Sequence, residues 1–161
     1  MERKSPPKYV VRILSRPRLR RSLELLGSAL TLFVVLAYAI TLVQLLLEDL
    51  QAAASLTLFA AIPFVFVSIL RSVIDLPRPS LVWGLDGIGG KRGSSFPSRH
   101  AASAFIVGTL LLRSSVPLAV AVLAAGVVIS TLRVLLGKHF VRDVTVGALV
   151  GALSGAIGLI L

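Results

Sequence analysis

Apolar residues in this chain come in long blocks rather than in the stripes that a water-soluble helix or strand would show. The first block runs from Ser22 to Leu47. It is long enough to cross a hydrocarbon core of about 30 Å as a helix. Glu48, Asp49 and Gln51 then interrupt the pattern, and a second block follows from Ala52 to Leu70, so the pair predicts a tight helical hairpin. Pro63 lies inside the second block, where it kinks a helix or loosens its hydrogen bonding without ending the span.

After Arg71 the pattern changes. Asp75, Pro77, Arg78, Pro79, Gly84, Asp86, Gly87, Gly89, Gly90, Lys91, Arg92 and Gly93 make a polar, turn-rich connection, and so long a loop in a small membrane domain is usually functional. A third helix is predicted from Ser98 to Leu112, ending at Arg113-Ser114-Ser115, with Pro117 suited to the first turn of a fourth that reaches about Leu136. The short connection Gly137 to Arg142 leads into a last helix that continues to Leu161. The expectation is an all-α, polytopic transmembrane bundle of about five spans over residues 22–161, preceded by a basic tail over 1–21, with the active site at one membrane face.

Composition agrees. With 56% hydrophobic residues among 161 and a mean hydropathy of +0.93, the chain is too apolar for a soluble domain of its size. Having no cysteine, it has no disulfide, thiolate metal site or cysteine nucleophile. The net charge is +10, and eight of the 17 basic residues fall in the first 21 positions. That tail sets topology, and it could also touch anionic headgroups at about 1 kcal/mol per basic residue. The apolar stretch after it lacks a small-residue cleavage site, so it reads as a retained span rather than a signal peptide. Five spans put the amino terminus and both polar loops, 71–98 and 133–142, on one side. Arg113 is then the single basic residue on the other. The positive-inside rule places the crowded side, and the active site with it, in the cytoplasm, for a multi-pass protein of the cell membrane. Gly147, Gly151 and Gly155 recur at four-residue spacing. They permit close helix approach, either to another helix of the same chain or, as the alternative, in a homodimer.

The polar residues that remain carry the chemistry, since ionisable groups in so apolar a chain are costly unless they line a site. Arg71, Arg78, Arg99, Arg133, Lys91, Arg92 and Lys138 surround the two histidines, His100 and His139. Guanidinium forks match phosphate oxygens, so the field implies a phosphorylated substrate and not nucleic acid. His139 and Asp143 stand one helical turn apart, which lets the carboxylate fix the imidazole tautomer and leaves the other ring nitrogen free to attack. His100 follows Ser98 at a helix start, where free backbone N–H groups favour an anion. His139 is a candidate nucleophile and His100 a candidate acid. Two histidines with one aspartate make a poor transition-metal set.

Arg71-Ser72-Val73-Ile74-Asp75-Leu76-Pro77-Arg78-Pro79, then Phe96-Pro97-Ser98-Arg99-His100, then Arg133 with His139 and Asp143 resemble the three-part signature of the type 2 phosphatidic acid phosphatase family, relatives of the vanadium haloperoxidases. In motif form that signature is K-x6-RP, PSGH and SR-x5-H-x3-D, and the resemblance covers roughly Leu56 to Leu161. It implies that Arg71, Arg78, Ser98 and Arg133 hold the phosphate, helped by backbone N–H groups near Arg99. It further implies that His139 attacks phosphorus, that His100 protonates the leaving oxygen, that Asp143 orients His139, and that neither metal nor other cofactor is needed. Three positions depart from the pattern: Arg71 replaces Lys, Arg99 replaces Gly and Leu132 replaces Ser. Arg99 adds a side chain that suits a second anionic group. The family's usual sixth span is also missing at the amino end, which sets the cytoplasmic site expected here against the family's customary outward-facing one. The expected function is removal of phosphate from a lipid phosphomonoester of the phosphatidic acid or phosphatidylglycerophosphate type. The alternatives are a polyprenyl diphosphate phosphatase and a catalytically silent membrane scaffold.

Overall fold

The structure, a computed structural model, describes residues 5–85 and 94–160. Lys91 and Arg92 lie outside the described residues, as do Arg3 and Lys4 of the tail. The elements are α1 (Lys8–Leu14), α2 (Pro17–Glu48), α3 (Leu50–Ile74), α4 (Pro79–Val82), α5 (Arg99–Leu110) with a 3-10 turn at Leu111–Arg113, α6 (Val116–Leu135) and α7 (Val141–Ile160).

The four helices α2, α3, α6 and α7 are long and apolar enough to cross a membrane. Their outer faces invert the soluble pattern. Of the 32 residues in α2 only Val34, Ala37 and Thr41 are buried, while Leu32, Leu36, Ile40, Val43 and Leu47 face outward. An apolar surface of that extent is stable only against lipid. Asp49 separates α2 from α3 as the single non-helical residue of the hairpin. Its carboxylate accepts from Ala52 N at 3.0 Å and so caps α3. The helix continues through Pro63, as expected.

The fifth predicted span, α5, differs from the others. Its 12 residues and the three of the 3-10 turn rise on the order of 24 Å, short of the hydrocarbon thickness. It is the central helix, with eight residues buried, and a helix wrapped by protein needs no lipid-matched length. Ala104, Val107 and Leu111 of α5 pack with Val34 and Ala37 of α2 and Ala119, Val122 and Ile129 of α6. Ala102, Ile106 and Leu110 pack on the other side with Leu56 and Val67 of α3.

The glycine ridge of α7 closes the bundle. A Cβ on Gly147 would stand 2.5 Å from the Ser98 carbonyl, one on Gly151 would overlap the Ala102 carbonyl, and one on Gly155 would stand 2.6 Å from Thr109 Cβ. The ridge therefore packs against α5 of the same chain.

The amino-terminal stretch is also more ordered than a tail. It forms α1, whose Val10 is fully buried, and α2 begins already at Pro17, where proline suits a first turn.

Candidate active site

Three short segments converge at one end of the bundle: the end of α3 with residues 75–79, the turn 94–100 into α5, and the turn 136–143 from α6 into α7. Backbone hydrogen bonds lace them together. Ser95 N donates to Leu76 O at 2.7 Å, Ser98 N to Asp143 O at 2.9 Å, and Ser80 N to Gly137 O at 3.2 Å. Gly137 carries a positive φ of 66° at the end of α6, and Trp83 stands 3.3 Å from where its Cβ would lie. Only glycine meets both demands without strain. The reversal it permits returns Lys138 N and His139 N to Arg133 O, at 3.0 and 3.2 Å.

His139 follows this turn and is buried. Its Nδ1 lies 3.7 Å from Asp143 Oδ2, an ion-pair distance rather than a hydrogen bond, and contacts of this kind tighten when substrate binds. Asp143 sits at the third position of α7 and accepts from Phe140 N at 2.8 Å through Oδ2. That reciprocal cap fixes the carboxylate. Phe140 is itself bracketed by the Trp83 ring, 5.9 Å away edge-on, and by the Arg142 guanidinium at 5.1 Å. Burial holds the His139 pKa below the ordinary histidine value. The neighbouring Asp143 opposes that shift, and the charges of Arg71 and Arg78 add to it.

His100 is the second residue of α5, and the charges of Arg133, His139, Arg99 and Arg71 all bear on its imidazole. Ser98 occupies the N-cap position of the same helix without a side-chain capping bond and is fully buried. Among the described residues, five buried polar side-chain atoms have no hydrogen-bond partner, and four of them belong here: Arg78 Nε, Ser98 Oγ, His139 Nδ1 and Asp143 Oδ1. Buried polar groups are normally satisfied; of these four, the donors Arg78 Nε and Ser98 Oγ suit the oxygens of an anion, whereas Asp143 Oδ1 is itself an acceptor.

Arg71, expected from the sequence to bind phosphate, donates from Nη1 to Ser95 O at 3.2 Å and Pro97 O at 3.1 Å, and from Nη2 to Ser94 O. Its guanidinium braces the turn that presents Ser98. Asp75, a possible ion-pair partner of an arginine, instead caps α3 in the left-handed conformation.

Sequence reasoning also missed Glu24. Its carboxylate pairs with Lys138 Nζ at 3.3 Å and with Arg20 Nε at 3.4 Å, so Lys138 is tied down rather than a loose surface charge. Its position as the one acid inside the first apolar block was the available signal.

A family profile described as the PAP2 superfamily matches residues 50–161. No curated protein matches the chain. Among solved structures, the crystal structure of Aquifex aeolicus LpxE superposes with a TM-score of 0.68 at 27% identity, covering 89% of this chain and 94% of that one. The profile takes in all three segments of the site, and α1 and α2, with Glu24, lie before its start. The chain, with the histidines, arginines and buried serine of this candidate site inside the matched residues, thus belongs to the PAP2 superfamily.

Proposed function

We propose that this protein hydrolyses a lipid phosphomonoester in two displacements through a phosphohistidine at His139, at the cytoplasmic face of the membrane. The observation that carries the reading is the convergence of Arg78, Ser98, Arg133, His100 and the His139–Asp143 pair on one buried spot. Arg78, Arg133 and Ser98 neutralise and hold the non-bridging phosphoryl oxygens. Asp143 faces Nδ1 of His139, which leaves Nε2 to attack phosphorus. The P–N bond forms as the bond from phosphorus to the lipid oxygen breaks, and His100 gives that oxygen its proton. In the second step His100 takes a proton from water, the resulting hydroxide attacks phosphorus, the P–N bond breaks and inorganic phosphate leaves.

Purified protein given a lipid phosphate should release phosphate in the presence of chelator and form an acid-labile, base-stable phosphoprotein. His139→Ala should abolish both, with a rate loss on the order of 10³-fold or more. Persistent turnover in that variant would overturn the nucleophile assignment, and loss of wild-type activity with chelator would point to a metal-dependent reaction instead.

A further inference from the structure

The turn that presents His139 is held mostly by the two helices it connects. Lys138 N and His139 N return to Arg133 O in α6, and Phe140 N donates to the Asp143 carboxylate in α7. Outside those helices, Ser80 N of α4 donates to Gly137 O, with the Trp83 ring close by. The amino-terminal elements also reach the turn. Val10 of α1 stands 3.6 Å from where a Cβ on Gly137 would lie, and Glu24 of α2 takes the ammonium of Lys138, the residue directly before His139. Among the described residues, Lys138–Glu24 is the one salt bridge that joins elements distant in sequence, since Arg20–Glu24, His139–Asp143 and Arg142–Asp143 are each local.

Stability does not account for that pair. The Glu24 side chain is 33% exposed and that of Lys138 19%, and a pair so placed contributes little to folding. A carboxylate in an otherwise apolar span meanwhile costs free energy to insert. What the pair supplies is location. Glu24 and Lys138 line, together with Gly27, Leu132 and Arg133, a cleft of about 250 Å³ between the start of α2 and the end of α6. A lysine side chain is long and flexible, yet Lys138 is fixed at both ends, its backbone N–H by Arg133 O and its ammonium by Glu24. That double hold restricts the backbone step that leads into His139.

Building on the phosphohistidine reading, we infer that Glu24 is a positioning residue, which acts through Lys138 to set where the His139 imidazole stands relative to phosphorus. Its carboxylate touches no reacting atom. It serves the attack step and not the affinity for phosphate, which Arg78, Ser98 and Arg133 supply in that reading. Attack is steep in distance, and a misplacement of about 1 Å costs on the order of 10²-fold.

The test uses full-length protein in neutral-detergent micelles with phosphatidic acid, phosphatidylglycerophosphate and a prenyl monophosphate. Glu24→Gln keeps the shape of the side chain and removes its charge. It should lower kcat about 10-fold on every substrate turned over, with KM changed less than about 2-fold and the melting temperature by less than about 4 °C. Lys138→Gln should do the same, and the double variant should be no slower than either single one, because the two residues act as a unit. Arg20→Gln breaks the other ion pair of the same carboxylate without touching the turn, and should keep kcat within about 2-fold of wild type. Additive losses in the double variant, an unchanged kcat in Glu24→Gln, or a raised KM at constant kcat would overturn the inference. So would a larger fall in melting temperature, which would make the pair a support of the fold. His139→Ala separates the two readings. If it retains turnover, the phosphohistidine reading falls; if it is inactive while Glu24→Gln matches wild type, only the role of Glu24 falls.

Discussion

In the proposed mechanism His139 has to be neutral to attack, and its surroundings favour that state. Burial lowers its pKa, the charges of Arg71 and Arg78 reinforce the effect, and Asp143 pulls the other way by stabilising the imidazolium. The nucleophile therefore stays unprotonated below the ordinary histidine range, and the acid limb of kcat/KM due to His139 lies below about pH 6.5. Removing Asp143's charge removes the one contribution that raises the pKa. Asp143→Asn should thus move the acid limb to still lower pH while kcat falls on the order of 10³-fold, because the tautomer is no longer fixed. The substrate's own ionisation is common to both enzymes, so the difference between their pH profiles isolates His139. A limb that moves to higher pH would refute the assigned direction. The grouping of His139, His100 and Asp143 at one end of the bundle was legible in the sequence because the proposed chemistry demands particular side chains at particular spacing. The contacts of Arg71 with the carbonyls of Ser94, Ser95 and Pro97 were not, since a backbone carbonyl leaves no trace in residue identity. Glu24 and Lys138 meet across more than half the chain, a separation that no local pattern reports.

The unit that aligns the site is the contact between α5 and α7. Ser98 and His100 start one helix and Asp143 starts the other, so their relative positions depend on how closely the two axes approach. The glycines set that approach. A side chain at Gly151 would meet the Ala102 carbonyl, Phe105 Cβ at 3.0 Å and Ile106 N at 3.1 Å, two of them backbone atoms that cannot step aside. Gly151→Val should cost about 1–3 kcal/mol, lowering the melting temperature in detergent by roughly 3–10 °C, and should reduce turnover as α7 is pushed from α5. Ala54→Leu, on an exposed face of α3, should leave both almost unchanged. Equal behaviour of the two variants would show that the glycine ridge does not set the packing. Four of the spans were readable from block length because lipid selects for length and uniform apolarity. The small residues of α5 revealed its helix but not its central place, which depends on Val34, Ile129, Val67 and Gly151 arriving from four other helices. The helix α1 escaped prediction because its seven residues are too short and too basic for a periodic apolar signal.

At the scale of the molecule, the amino terminus and the site lie at the same end. Val10 of α1 approaches Gly137, and Glu24 near the start of α2 holds Lys138 beside His139. Arg71 at the end of α3 and Arg133 at the end of α6 return to that end, whereas Glu48, Asp49 and Arg113 mark the opposite one. The proposed cytoplasmic placement of the site end rests on charge. The tail and the site end together carry nearly all of the 17 basic residues, and translocating such a cluster is disfavoured relative to translocating the Arg113 turn. The chain has no cysteine of its own, so single cysteines report without background. Ser5 and Ser114 are both exposed, at opposite ends of the bundle. In intact cells a membrane-impermeant thiol reagent should label Ser114→Cys at once and Ser5→Cys only after the membrane is opened. Labelling of Ser5→Cys in intact cells would reverse the orientation and put the site on the outer surface.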